Sequence, residues 1–190
     1  MTATGKPTSL AGVVLAAGAS PYQGRAKALK QVRDGHTTTV EHVVSIVAQC
    51  CQPVFVVTSP GQSLPQLPAQ VVRDDVRGYG QLSAVGCGLR AAAEAGATHA
   101  FVCSVDAELL DPDVIDLLGA RAAAVDADIV LPWDGTNHYL AAVYRTELAA
   151  VVDDLVAAGE LNIPALIARV DSQRVVISDA GSRDLLHAGR

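Results

Sequence analysis

"LAGVVLAAGASPYQGRAKALK", residues 10–30, decides how the rest of the chain is read. Its first seven residues, Leu10 to Ala16, are apolar and valine-bearing, a run that predicts a buried β-strand. Ala17 and Gly18 then lack bulk, and the stretch ends with three cations, Arg25, Lys27 and Lys30. Small residues let backbone N–H groups approach an anion closely, and a lysine brings a compact positive charge to phosphate. Spacing alone leaves two readings open: a phosphate-receiving loop, or a plain turn with solvated cations. It is not a Walker loop, because five residues rather than four separate Gly18 from Gly24 and no Lys-Ser/Thr pair follows.

Outward from this strand, helical and extended patterns alternate. Val40, Val43, Val44 and Val47 recur at the spacing of one helix face. "PVFVVT", residues 53–58, predicts a second strand, and "QVVR", from Gln70, a short third one after a Pro/Gly-rich loop. "LSAVGCGLRAAAEA", from Leu82, reads as a helix stopped by Gly96. "HAFVCSV", His99 to Val105, is a fourth strand. Asp111 before Pro112 predicts a helix start. "DIVLP" and "YLAAVY" are strands joined through "WDGTNH", whose Asp134-Gly135 signals a hairpin and a local antiparallel addition. Short helices at 147–158 and 164–169 and a final strand, "RVVIS" at 174–178, complete the pattern. The alternation predicts a three-layer α/β/α fold with a mainly parallel sheet. It also predicts a single domain over 1–190, with its core at about 10–177 and a polar tail.

Ligands of such sheets bind outside the carboxyl ends of the strands. Three segments are expected there: 17–27, 74–82 and Asp106. In "RDDVRGYGQL" the carboxylate of Asp74 can accept hydrogen bonds from a base or ribose, and Gly78 and Gly80 let the backbone wrap closely; an ordinary surface turn has the same composition. In "FVCSVDAELL" an apolar run ends in Asp106, the placement of a magnesium ligand that shares its ion with phosphate and water. The competing helix-cap role is already filled by Asp111. The Gly86–Ala91 G-x-G-x-x-A pattern lies within a helix and is read as close packing rather than a dinucleotide site.

Composition narrows the class. The 190 residues carry 14 basic and 20 acidic side chains, a net charge of −6, and no basic run, which argues against a nucleic-acid binder. No apolar run approaches the ~20 residues of a membrane span. "MTATGKPTSL" has no long apolar segment, so a cytoplasmic location is expected. Cys50, Cys51, Cys87 and Cys103 show no metal-ligand spacing and read as small buried hydrophobes in a reducing cytoplasm. His36, His42, His99 and His187 likewise lack such spacing. His138 reads as a solvent-facing strand position, and Trp133 as packing.

Together, "LAAGASPYQGRAK", "RDDVRGYGQLSAVGCGLRAA" and "SVDAEL" resemble, in order, the motifs of MobA-like nucleotidyltransferases, most closely the molybdenum cofactor guanylyltransferases. The likeness runs from about Leu10 to Ile177. It implies a Rossmann-like nucleotidyltransferase fold and transfer of GMP from GTP to molybdopterin, with Mg²⁺ as cofactor and pyrophosphate released. It implies that Leu15, Ala16, Ala17, Gly18 and Lys27 hold the nucleotide, with Gly78 and Gly80 beside it. By the same resemblance Asp74 contacts the nucleoside, Asp106 binds the metal, and Lys27 and Asp106 are the catalytic pair. A pterin-facing role for the 137–139 segment and delivery to molybdoenzyme maturation proteins are further implications. The chain departs from the family pattern at Tyr22, where an arginine is usual, and at Ala26, Val105 and Glu108. Two alternatives therefore stand beside this reading: a weakly active homologue that binds a nucleotide or pterin cofactor, and a cytidylyltransferase taking CTP, since "LAAG" also occurs in that branch.

Overall fold

The computed structural model describes residues 10–17, 27–32, 37–74, 80–107 and 110–177. Seven strands form one sheet in the order β3-β2-β1-β4-β6-β5-β7. They are β1 (Leu10–Leu15), β2 (Val54–Thr58), β3 (Gln70–Arg73), β4 (His99–Ser104), β5 (Ile129–Trp133), β6 (Ala141–Arg145) and β7 (Ser172–Val176). The helices are α1 (Thr39–Val47), α2 (Gly80–Glu94), α3 (Pro112–Ala124), α4 (Leu148–Ala157) and α5 (Ile163–Ile167).

Alternation along the strands creates the three layers. In β1, Val13 and Leu15 join α2, α4 and α5 in one core, whereas Val14 joins α1 and α3 in the other. Both faces are covered, so the strands read as continuous apolar runs rather than as polar-apolar alternation. Two glycines let α2 approach its neighbours closely. A Cβ on Gly88 would lie 2.3 Å from Val13 Cγ1, and one on Gly86 would lie 2.6 Å from Val152 Cγ1. The glycine pattern of α2 is therefore packing against β1 and α4, as expected.

Helix starts follow from local chemistry. Thr38 and Glu41 form a reciprocal capping box at α1. Asp111 caps α3 by accepting from Asp113 N, with Pro112 in the first turn. Asn162 caps α5, accepting from Ala165 N.

The expected antiparallel addition is present: β6 lies between β4 and β5 and runs against both. Its reversed direction carries residues 137–140 to the carboxyl edge of β4. The last strand begins at Ser172, two residues before the expected Arg174, because Asp128 and Asp171 lock its start. Asp128 N donates to Asp171 O at 3.0 Å, and Asp171 N donates to Asp128 Oδ2 at 2.9 Å. The polar tail lies outside the described residues.

Candidate active site

The parallel strands β1 and β4 are neighbours in register, with Leu15 opposite Ser104. The segments that leave their carboxyl ends are thus delivered to one mouth. Beyond β1, Ala16 N and Ala17 N both donate to Val57 O, at 2.9 and 3.2 Å. Leu15 and Ala16 are buried. Leu15 O accepts from Val105 N at 3.3 Å. These residues therefore build the rim of the mouth, and the N–H groups of Ala16 and Ala17 are already engaged in it. Gly18, Tyr22, Arg25 and Ala26 lie outside the described residues, as do Gly78 and Glu108.

Beyond β4 the chain makes a tight turn, in which Ala107 N donates to Ser104 O at 3.1 Å. That turn lifts Asp106 out of the sheet. Lys27 reaches it from the other side: its Nζ lies 2.6 Å from Asp106 Oδ2. The lysine is set in place by the buried Ala28 beside it. It is also set by Lys30 O, which accepts from Thr39 N at 2.8 Å and from Thr39 Oγ1 at 2.9 Å. Ser104 Oγ donates to the remaining oxygen, Asp106 Oδ1, at 2.6 Å. The side chains of Lys27 and Asp106 are 58% and 53% exposed, so the pair is open to a ligand. The Lys27 ammonium, then the Ser104 hydroxyl, hold the Asp106 carboxyl below the usual carboxylate range, against a smaller opposing effect of burial.

Asp74 follows β3, three strand positions from β4 in the sheet order, or about 14 Å at the usual strand spacing. It does not join the Lys27–Asp106 pair. Its backbone N donates to Thr58 O at 2.9 Å, and its Oδ1 accepts from Ser83 Oγ at 3.1 Å. Gly80 opens α2 with φ +67°, and a Cβ there would lie 2.7 Å from Leu161 O. Only glycine fits that approach.

A cavity of about 450 Å³ lies along the same edge, walled by Gln81, Tyr139, Leu140 and Leu161 among others. It adjoins the mouth through Leu140 O, which accepts from Ser104 N at 3.3 Å. The Tyr139 wall is braced. Asn137 Nδ2 donates to the Tyr139 hydroxyl at 3.1 Å, and Arg174 Nε donates to Asn137 Oδ1 at 2.8 Å. His138 lies between β5 and β6 rather than on a strand; it is partly exposed, at 21%, and bonds Asp134 Oδ1 through Nε2 at 2.9 Å.

Among the described residues no group of three or more His, Cys, Asp or Glu side chains could hold a metal. A single carboxylate donor suits an ion that fills its shell with water and substrate oxygens, the habit of Mg²⁺ rather than of a structural zinc. The carboxylate donor, half open and anionic, fits that role. Cys51 and Cys103 are buried as expected, whereas Cys50 and Cys87 are only partly so, and burial pushes the Cys103 thiol up to about 12. No described helix is long and apolar enough to cross a membrane.

Sequence reasoning missed three supports of the site: Ser104, Ser83 and Gln62. Gln62 Nε2 donates to Ala16 O and its Oε1 accepts from Ser59 N, each at 3.3 Å, which ties the ends of β1 and β2 together. A hydroxyl two residues before Asp106 was a readable signal. The reach of Gln62 across the sheet edge was not.

Known proteins resemble this chain in sequence and in fold. The model of the family described as "MobA-like NTP transferase domain" matches residues 12–175. A Mycobacterium marinum protein named as a probable molybdenum cofactor guanylyltransferase is 58% identical over 172 residues, 90% of this chain and 86% of the relative. Among solved structures, a molybdopterin-guanine dinucleotide biosynthesis protein A from Archaeoglobus fulgidus superposes with a TM-score of 0.70 at 16% identity, covering 88% of this chain and 83% of its own. A Mycobacterium tuberculosis protein solved as a complex with manganese superposes with a TM-score of 0.62 at 17% identity, covering 90% and 89%. At such identities the structural likeness speaks for the fold.

Proposed function

From the premise that the chain belongs to the MobA-like NTP transferase family and is a nucleotidyltransferase, we propose that it transfers GMP from GTP to molybdopterin, with Mg²⁺, and releases pyrophosphate. The observation that carries this reading is the 2.6 Å contact of Lys27 Nζ with Asp106 Oδ2 at the carboxyl edge of β1 and β4. On this reading the exposed ammonium meets the phosphate chain, and the exposed carboxylate is available to a metal.

The nucleotide lies across the strand ends. Its nucleoside end falls toward Asp74 and the glycines Gly78 and Gly80, and its phosphates toward Gly18 and Lys27. The separation of β3 from β4, about 14 Å at the usual strand spacing, suits the two ends of one nucleoside triphosphate. Lys27 leaves Asp106 for phosphate oxygens, and its charge offsets what develops there as the α-phosphorus is attacked. Asp106 is then free to hold the cation. A Mg²⁺ held by Asp106 would supply neutralisation of the charge on the phosphates. The acceptor's terminal phosphate oxygen forms the new bond to the α-phosphorus, and the bond to the β-phosphate oxygen breaks with its electron pair leaving on pyrophosphate. The cavity beside Tyr139, apolar and braced, supports a planar acceptor held next to that oxygen. The reading places the enzyme in the cytoplasm, handing its product to molybdoenzyme maturation proteins.

The test is incubation of the protein with α-labelled GTP, molybdopterin and Mg²⁺, with CTP in parallel. The dinucleotide product from GTP supports the proposal. A clear preference for CTP would reassign the base. Nucleotide binding without turnover, beside an active relative in the same assay, would leave only a binding role.

A further inference from the structure

The Asp106 carboxylate is held at both oxygens, but by bonds of unlike permanence. Oδ2 receives Lys27 Nζ from 79 residues away in the chain. That lysine is 58% exposed on a flexible stem and has a competing destination on phosphate. Oδ1 receives the Ser104 hydroxyl from two residues away. The backbone of Ser104 is fixed independently, because its N donates to Leu140 O at 3.3 Å and its O accepts from Ala107 N at 3.1 Å. When Lys27 departs, the Oδ1 bond therefore remains.

We propose that Ser104 is a positioning residue that keeps Oδ1 occupied, makes Asp106 a one-oxygen ligand, and so biases the site toward Mg²⁺-sized cations over Ca²⁺. This rests on the placement of the metal at Asp106 in the guanylyl-transfer reading. Mg²⁺ requires near-octahedral geometry at short range and takes its carboxylates singly, whereas Ca²⁺ accepts two-oxygen coordination from one carboxylate and a looser shell. A carboxylate on a turn, without Ser104, turns freely about its side-chain bonds and can present both oxygens. Holding it also removes rotational freedom that metal binding would otherwise have to suppress. Groups that orient a ligand from behind commonly contribute ~10- to 100-fold in metal affinity.

The experiment uses the full chain with the non-hydrolysable analogue α,β-methylene-GTP. Mn²⁺ uptake is followed by the loss of the free-ion paramagnetic resonance signal, and Mg²⁺ and Ca²⁺ are titrated in as competitors. Ser104→Ala is expected to weaken Mn²⁺ binding by ~10- to 100-fold and to shift the competition toward Ca²⁺. Ser104→Thr, which keeps the hydroxyl, is expected to retain both affinity and preference. A general packing defect would weaken all cations alike and leave the Mg²⁺/Ca²⁺ ratio unmoved. If Ser104→Ala keeps the wild-type ratio, or Ser104→Thr loses as much as the alanine variant, the positioning role is overturned while the reading of the site stands. If the wild type itself takes up no Mn²⁺ beside the analogue, both fall together.

Discussion

Lys27 Nζ and Asp106 Oδ2 are 2.6 Å apart, although 79 positions separate them in the chain. One lies beyond β1 and the other beyond β4, strands that run side by side in parallel. Both side chains are more than half exposed. An ion pair so wet contributes only ~0–1 kcal/mol to stability. Folding therefore gains little from it, and on the reading proposed above the pair serves the ligand instead.

That separation of roles can be measured. Asp106→Asn is expected to lower guanylyl transfer by ~100- to 1,000-fold, the usual effect of losing one preorganised charge stabiliser. Its melting temperature is expected to stay close to wild type. Product chromatography and a thermal melt check the two halves. Full transfer by Asp106→Asn would remove the residue from the mechanism.

Acid titration gives an independent signature. Lys27 and Ser104 hold the Asp106 carboxyl below its usual range, while in the unfolded chain it titrates near pH ~4, as in an unstructured peptide. The unfolded chain thus binds the proton first as pH falls. The group's contribution to stability is complete above about pH 4 and is lost as pH drops through the lower folded value. Urea midpoints of wild type and Asp106→Asn should therefore draw together on acidification. The difference stays small throughout, because both partners are exposed. A gap that widens toward acid would contradict the sign.

Gly88→Ala tests the packing that holds β1 in register. The new Cβ would meet Val13 Cγ1 at 2.3 Å inside the core. A loss of ~1–3 kcal/mol is expected in chemical denaturation. Val13→Ala in the same chain should recover part of it, since the two residues share one contact. Gly80→Ala meets a different obstacle. Its left-handed backbone disfavours a Cβ by ~1–2 kcal/mol, and the atom it strikes is the Leu161 backbone oxygen, which no rotamer change can move.

His99 carries the one buried side-chain nitrogen, Nε2, that lacks a hydrogen-bond partner among the described residues. Burial, then the nearby Arg145 charge, lowers its affinity for a proton. The unfolded chain takes up that proton at about pH 6.5, so the wild type loses stability as pH falls from there toward the folded value. His99→Leu removes both the unpartnered nitrogen and this titration. Its denaturation midpoint is expected to hold through that window, and a wild-type pH profile in the variant would refute the assignment.

The amino-acid order by itself determined the layers, the parallel core and the acidic and basic candidates of the site. Apolar runs such as Leu10–Leu15, helical valine spacing at 40–47 and the Asp111-Pro112 start are local signals, written in neighbouring residues and read without knowing the partner. Only the tertiary structure decided that β6 slots between β4 and β5, that Ala16 and Ala17 donate their N–H groups to Val57, and that Asp74 stands apart while Lys27 closes on Asp106. These outcomes depend on which strand lies beside which. Strand order is set by the summed burial of two helical layers and by distant pairings, quantities that no window of the sequence contains.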